Sequence, residues 1–233
     1  MARTAVVAGV GPGLGASIAR RFAAEGCNVG LLARSGSYVE SLAAELDDAV
    51  AVTADVGDRD AVEAAFERVR EAFGSVDVLV FNASAASWEG TLEVSPTAFD
   101  RALDTNVRGA LNCVQAAVPD MLGDAPEGGT AGTVIFTGAT TSVRGREGAI
   151  GFSAAKFGAR GMAESMAREL GPEGIHVAHV VIDGGILPPD DDVADPEEYL
   201  DPDAVADSYW HLVEQDRSAW TLELDLRPHV EEF

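Results

Sequence analysis

Lysine is all but absent from this chain: Lys156 is the only one among 233 residues. Cysteine is nearly as scarce, and Cys27 and Cys113 lie far apart, as suits two buried thiols in a reducing cytoplasm. No apolar run approaches the roughly 20 residues that a membrane-spanning helix requires, which argues against a transmembrane segment. The start, Met1-Ala2-Arg3-Thr4-Ala5-Val6-Val7, runs directly into a strand-like stretch, without the charged, apolar and cleavage regions of a secretory signal. A cytoplasmic location is therefore expected. Positive charge is scarce as well: 16 basic residues stand against 39 acidic ones, a net charge of −23. A field of that sign repels phosphate backbones and argues against nucleic acid as a partner. An acidic, lysine-poor surface suggests a high-salt cytoplasm, where dense counterions screen the self-repulsion. An ordinary acidic protein is the alternative.

What is present is an apolar fraction of 47%, enough to bury a core in one large α/β domain. Continuous apolar runs at Thr4–Ala8, Val29–Leu32, Ala49–Thr53, Val76–Phe81, Thr133–Thr137 and His176–Ile182 read as strands buried on both faces. Between them lie helical patterns. Asp58–Phe73 carries Val62, Ala65, Phe66 and Val69 at helical spacing, Ala98–Val118 reads as a long helix stopped by Pro119, and Gly151–Leu170 follows. The alternation predicts a doubly wound parallel sheet of about seven strands with helices on both faces, in a single domain over 1–233. A proline- and acid-rich segment at about 186–203 interrupts the rhythm before a last helix (Ala204–Gln215) and strand (Thr221–Leu226). It reads either as a lid over a site or as a solvated surface loop.

The first strand runs into Gly9-Val10-Gly11-Pro12-Gly13-Leu14-Gly15. Glycines there permit a tight turn and let the backbone approach a pyrophosphate at the positive end of the following helix. The second strand ends Leu31-Leu32-Ala33-Arg34, with alanine where an acid would bind a ribose 2′-hydroxyl and arginine beside it, suited to a 2′-phosphate. NADP(H) is therefore favoured over NAD(H), although an arginine just after a strand is also a common surface residue.

The spacing Gly9-x-x-x-Gly13-x-Gly15 resembles the short-chain dehydrogenase/reductase family, and further segments agree in order. Asp55-Val56 is similar to the family's adenine-contacting pair, and Asn82-Ala83-Ser84 to its Asn-Ala-Gly turn, with serine replacing glycine. Asn106-Val107 lies where the family carries its helix asparagine, Lys156 where it has its active-site lysine, and Asp183-Gly184 where it usually has Pro-Gly. The resemblance implies a cofactor site of Gly9, Gly11, Gly13, Leu14, Gly15, Arg34, Asp55, Val56, Asn82, Ala83, Lys156 and Gly184. It also implies a homo-oligomer, dimer or tetramer, and an oxidoreductase acting on a small carbonyl or alcohol.

The catalytic end departs from that pattern. The family places a proton-donating tyrosine four positions before the lysine, where this chain has Phe152, and a serine thirteen positions before the tyrosine, where it has Ala139. The three tyrosines, Tyr38, Tyr199 and Tyr209, lie elsewhere in the sequence. Candidate catalytic residues are Asn106 and Lys156, joined by Thr140, whose hydroxyl or that of Ser142 could stand in for the serine's, and by Asp183 as a substitute acid or turn-stabilising aspartate. His176 and His179 lack acidic partners at ligand spacing and read as strand residues rather than metal ligands. The missing tyrosine keeps a second reading open: a dinucleotide-binding protein without turnover, serving as a redox sensor or partner subunit.

Overall fold

The computed structural model describes residues 2–123, 129–189 and 193–231. Its first strand, β1 (Thr4–Ala8), is buried at all five positions because both of its faces meet helices. Ala5 and Val7 pack into one layer with Ile18 and Phe22 of α1 (Leu14–Ala24). Val6 and Ala8 pack into the other with Phe66 of α3 (Arg59–Phe73). A strand enclosed in this way has no solvent face on which to place polar residues, which is why it reads as an unbroken apolar run. Each buried phenylalanine contributes about 1.5–3 kcal/mol relative to an exposed one. The start of α3 is held by Asp58, whose carboxylate accepts from the amides of Asp60 (3.0 Å) and Ala61 (3.2 Å), a cap worth about 1 kcal/mol.

Strands β2 (Asn28–Ala33), β3 (Ala49–Thr53), β4 (Val78–Phe81), β5 (Gly132–Thr137), β6 (Ile175–Ile182) and β9 (Glu223–Leu226) complete the sheet. Its order is β3-β2-β1-β4-β5-β6-β9, and every pair is parallel. The seven strands match the expected doubly wound sheet. Because β1 pairs with both β2 and β4, successive connections turn opposite ways there, and a crevice opens at the carboxyl ends of the strands.

Helices α2 (Gly36–Glu45) and α7 (Pro202–Val213) join α1 on one face, while α5 (Gly109–Gly123) and α6 (Ile150–Leu170) join α3 on the other. The long helix expected over Ala98–Val118 is instead three pieces: α4 (Pro96–Leu103), a π-helical turn Asp104–Arg108, and α5. Nor does Pro119 stop the chain. Pro119 and Gln115, whose carbonyl loses its partner, sit on an exposed face, while Ala116, Ala117 and Met121 are packed on the other. Water can satisfy the freed carbonyl, and packing carries the helix onward to Gly123.

In the late segment, β7 (Gly185–Ile186) pairs in parallel with β8 (Tyr199–Leu200), forming a small two-stranded strap beside the carboxyl end of β6. Residues 190–192 of the expected lid lie outside the described residues. Among the described residues no helix is long and apolar enough to cross a membrane.

Candidate functional site

The glycine loop divides into two functional kinds of glycine. Gly9 has φ +102°, and a Cβ there would lie 2.3 Å from the Ala83 backbone nitrogen. Its carbonyl accepts from Asn82 Nδ2 at 2.8 Å, which ties the ends of β1 and β4 together. A Cβ on Gly15 would lie 2.6 Å from the Gly9 carbonyl oxygen, so α1 can approach the loop this closely only without one. Gly11 and Gly13, by contrast, face open space, where an added Cβ would meet nothing within 4 Å. The first turn of α1 has no side-chain cap on its amides. The Gly13 and Ala16 amides donate to the Gly11 carbonyl, while among the described residues the Leu14 and Gly15 amides have no partner, and with the open backbone they make an anion cradle.

From this loop a cavity of about 600 Å3 runs to Arg34 along Ala54 and Val56. Arg34 is exposed, and among the described residues no carboxylate pairs with it, although most of the other arginines hold one. Asp55 lies just outside this cavity. It accepts from the Gly57 amide at 2.9 Å and lines an adjoining depression that also holds Arg34 and Arg101. The Val56 carbonyl accepts from Asn112 Nδ2 at 2.9 Å, which fixes the cavity wall.

Asn82 and Ser84 also line a second cavity of about 310 Å3, so the two join. Its apolar walls include Leu14, Trp88, Phe152, Ile182 and Ile186, with Gly184 at its rim. The three loops following β4, β5 and β6 each reach it, through Trp88, Arg146 and Ile186. Phe152 is buried, its ring 5.3 Å from Trp88 edge to face. One helical turn on, Lys156 lies over that ring, with Nζ 5.6 Å from its centre. Nζ donates to the Thr137 carbonyl at 2.9 Å, and burial pulls its pKa down to about 8. Arg146 reaches the mouth of the cavity over the Trp88 ring, 5.3 Å from its centre.

The expected hydroxyls separate. Ser142 Oγ accepts from the Ala139 amide at 3.0 Å and is committed to the short 3-10 turn Thr140–Ser142. Thr140 lines the cavity, and so does Thr141, which is 2% exposed and whose Oγ1 has no partner. Sequence reasoning missed Thr141, and three successive hydroxyls gave no local signal as to which one is left unpaired.

Two expected catalytic residues stand apart from the cavity lining. Asn106, on the π turn, donates through Nδ2 to the carbonyls of Ala85 and Ala102, both at 2.9 Å, and accepts from Ser84 Oγ at 3.1 Å. The bonds to Ser84 and Ala85 hold the loop after β4 in place, and the third ties the π turn to α4. Asp183, expected as a substitute acid or a turn-stabilising aspartate, is not part of the cavity lining. Its buried carboxylate accepts from Arg144 Nη2 at 2.8 and 2.9 Å and pairs with Arg227 at 3.4 Å. His176 is bonded to the carbonyls of Leu212 and Thr221, and His179 to Glu223, so both serve the strand and its neighbours.

A parallel sheet whose switch-point cleft joins a glycine loop to a buried lysine defines a dinucleotide-fold protein. The chain belongs to the short-chain dehydrogenase family, whose model matches residues 3–188. It is 35% identical over 182 residues to the 3-oxoacyl-(acyl-carrier-protein) reductase FabG of Staphylococcus aureus, covering 76% of this chain and 72% of that one. A short-chain dehydrogenase from Rhodopseudomonas palustris superposes with a TM-score of 0.83 at 35% identity, covering 97% of this chain and 99% of that one. The 3-ketoacyl-(acyl-carrier-protein) reductase of Brucella melitensis, solved with NADH, superposes with a TM-score of 0.88 at 27% identity, covering 97% of both chains.

Proposed function

We propose that this chain is a nicotinamide-dinucleotide-dependent oxidoreductase acting on a small carbonyl or alcohol, with NADP(H) preferred. The observation that carries the reading is the continuous cleft, which shares Asn82 and Ser84 between a glycine-loop cavity and a lysine-bearing one. The residues present fit the cofactor: Gly11 and Gly13 leave room for a pyrophosphate, and the Leu14 and Gly15 amides at the start of α1 are free to receive it. Val56 and Ala83 would wall the adenosine, with Asp55 beside it, and Lys156 would hold the nicotinamide ribose in the cavity that Gly184 also lines. When bound, the dinucleotide supplies or accepts a hydride. The NADH in the Brucella relative supports a nicotinamide cofactor, and the unpaired Arg34 favours the phosphorylated form. In a chain of charge −23, a guanidinium without a carboxylate among the described residues is the exception and is suited to a ligand anion.

The second reading, a sensor or partner subunit that binds without turnover, is favoured by Phe152 in place of a phenol. The oligomeric state proposed is a dimer or tetramer, in a high-salt cytoplasm. Fluorescence titrations with NADPH and NADH test the reading. A charge-assisted hydrogen bond is worth about 1.5–3 kcal/mol, so Arg34→Ala should weaken NADPH about 10–150-fold and leave NADH nearly unchanged. Equal affinity of the unaltered chain for both dinucleotides removes the NADP preference, and failure to bind either removes the cofactor reading.

A further inference from the structure

The oxidoreductase reading leaves one chemical question open: where does the proton come from when a carbonyl is reduced? Among the described residues, only two that line the inner cavity carry an ionisable side chain, Arg146 and Lys156. A guanidinium does not release its proton in proteins. No carboxylate, histidine or phenol of the described residues lines the space. We propose that the Lys156 ammonium is itself the proton donor to the substrate carbonyl, and that the Thr141 hydroxyl polarises that carbonyl. The inference rests on the oxidoreductase reading and deepens it at the same site.

The geometry supports both roles. Lys156 Nζ spends one of its three N–H groups on the Thr137 carbonyl, and among the described residues no carboxylate holds the rest. Phe152 beneath it offers a ring face and no competing acid. The remaining charged and titratable neighbours are Arg146 at the mouth and His179 on β6. Burial lowers the affinity of His179 for a proton, as does the charge of Lys156. With only positive or neutral neighbours among the described residues, the buried ammonium yields its proton more readily than a surface lysine does, in line with a value of about 8. Thr141 supplies the complementary feature. A buried hydroxyl without a partner costs about 1–3 kcal/mol, and a carbonyl oxygen placed in the cavity relieves that cost. The step balances: hydride from the reduced nicotinamide forms the C–H bond as the carbonyl π bond breaks, and the oxygen takes the Nζ proton. The neutral amine then recovers a proton from water.

Because Lys156 is the only lysine, its titration can be followed without overlap from other side chains. Protein grown on lysine labelled with 13C at the ε-carbon should show one lysine signal, with a midpoint near 8. Reduction of ethyl pyruvate, cyclohexanone and benzaldehyde by NADPH should be flat below that midpoint and fall tenfold per pH unit above it, because the protonated form is the active one. Lys156→Met should lower kcat about 10²–10⁴-fold. Thr141→Val should lower kcat about 10²-fold with KM little changed, and Thr141→Ser should restore it. A lysine midpoint near 10.5, or turnover that is flat from pH 6 to 10, overturns the assignment and leaves the oxidoreductase reading intact. So does unchanged kcat in Lys156→Met. Failure to bind NADPH, or binding without turnover on all three carbonyls, overturns both.

Discussion

The two ends of the cleft are built to different tolerances. At the glycine loop, shape is fixed by backbone contacts: Gly9 sits against Ala83, and Gly15 against Gly9, at distances no side chain could share. At the lysine end, side chains give the cavity its shape: Phe152 packs against Trp88, and Lys156 lies over its ring. Where the family resemblance implies a tyrosine and a serine, Phe152 and Ala139 carry no hydroxyl. The difference teaches that a fold constrains volume and backbone far more tightly than it constrains acidity.

Breaking the glycine end should have the largest consequence for the fold. Gly9→Ala adds left-handed strain and a backbone clash, together about 2–6 kcal/mol, and should sharply lower the unfolding midpoint in guanidinium. Gly13→Ala, at an extended φ of 171° with open space at Cβ, should leave that midpoint within about 1 kcal/mol of the unaltered chain. Its methyl group should nonetheless weaken NADPH binding at least tenfold, because it projects where the pyrophosphate rests. Equal stability losses in the two variants would erase the distinction between packed and open glycines.

The lysine end should respond in chemistry rather than in stability. Phe152→Tyr restores a phenol within reach of the ammonium, and a rise in kcat of about 10²-fold on the carbonyl panel is expected. The unfolding midpoint should move little, since the ring already fills its pocket against Trp88. A drop in stability with no gain in rate would mean that the pocket excludes the hydroxyl. The smallest effect belongs to the surface. Raising KCl from 0.1 to 2 M should lift Tm by about 2–8 °C, as 1–2 kcal/mol of relieved self-repulsion does in a chain of this size. A Tm that is indifferent to salt would count against the high-salt reading.

Much of the framework was legible in the residues. Unbroken apolar strands implied a sheet covered on both sides, and β1, with all five residues buried, is the plainest case. The glycine spacing located the loop, and Lys156 was visible as the single lysine. Pro119 misled, because its effect depends on which helix face it occupies, and the π turn around Asn106 has no period of its own to detect. The surroundings of Asp183 were not legible for a different reason: its partners Arg144 and Arg227 lie far from it along the chain.

The sequence by itself determined the parallel sheet, the glycine loop and the phenylalanine four positions before the lysine, because strand periodicity, glycine spacing and side-chain identity are local properties. Only the tertiary structure decided that Asp183 is spent on two arginines, that Ser142 is spent on a turn, and that Thr141 and Lys156 are left in the cavity. Those outcomes depend on which distant groups packing brings within hydrogen-bonding reach. Reach of that kind exists only once the sheet has formed and the loops after β4, β5 and β6 converge at its carboxyl edge.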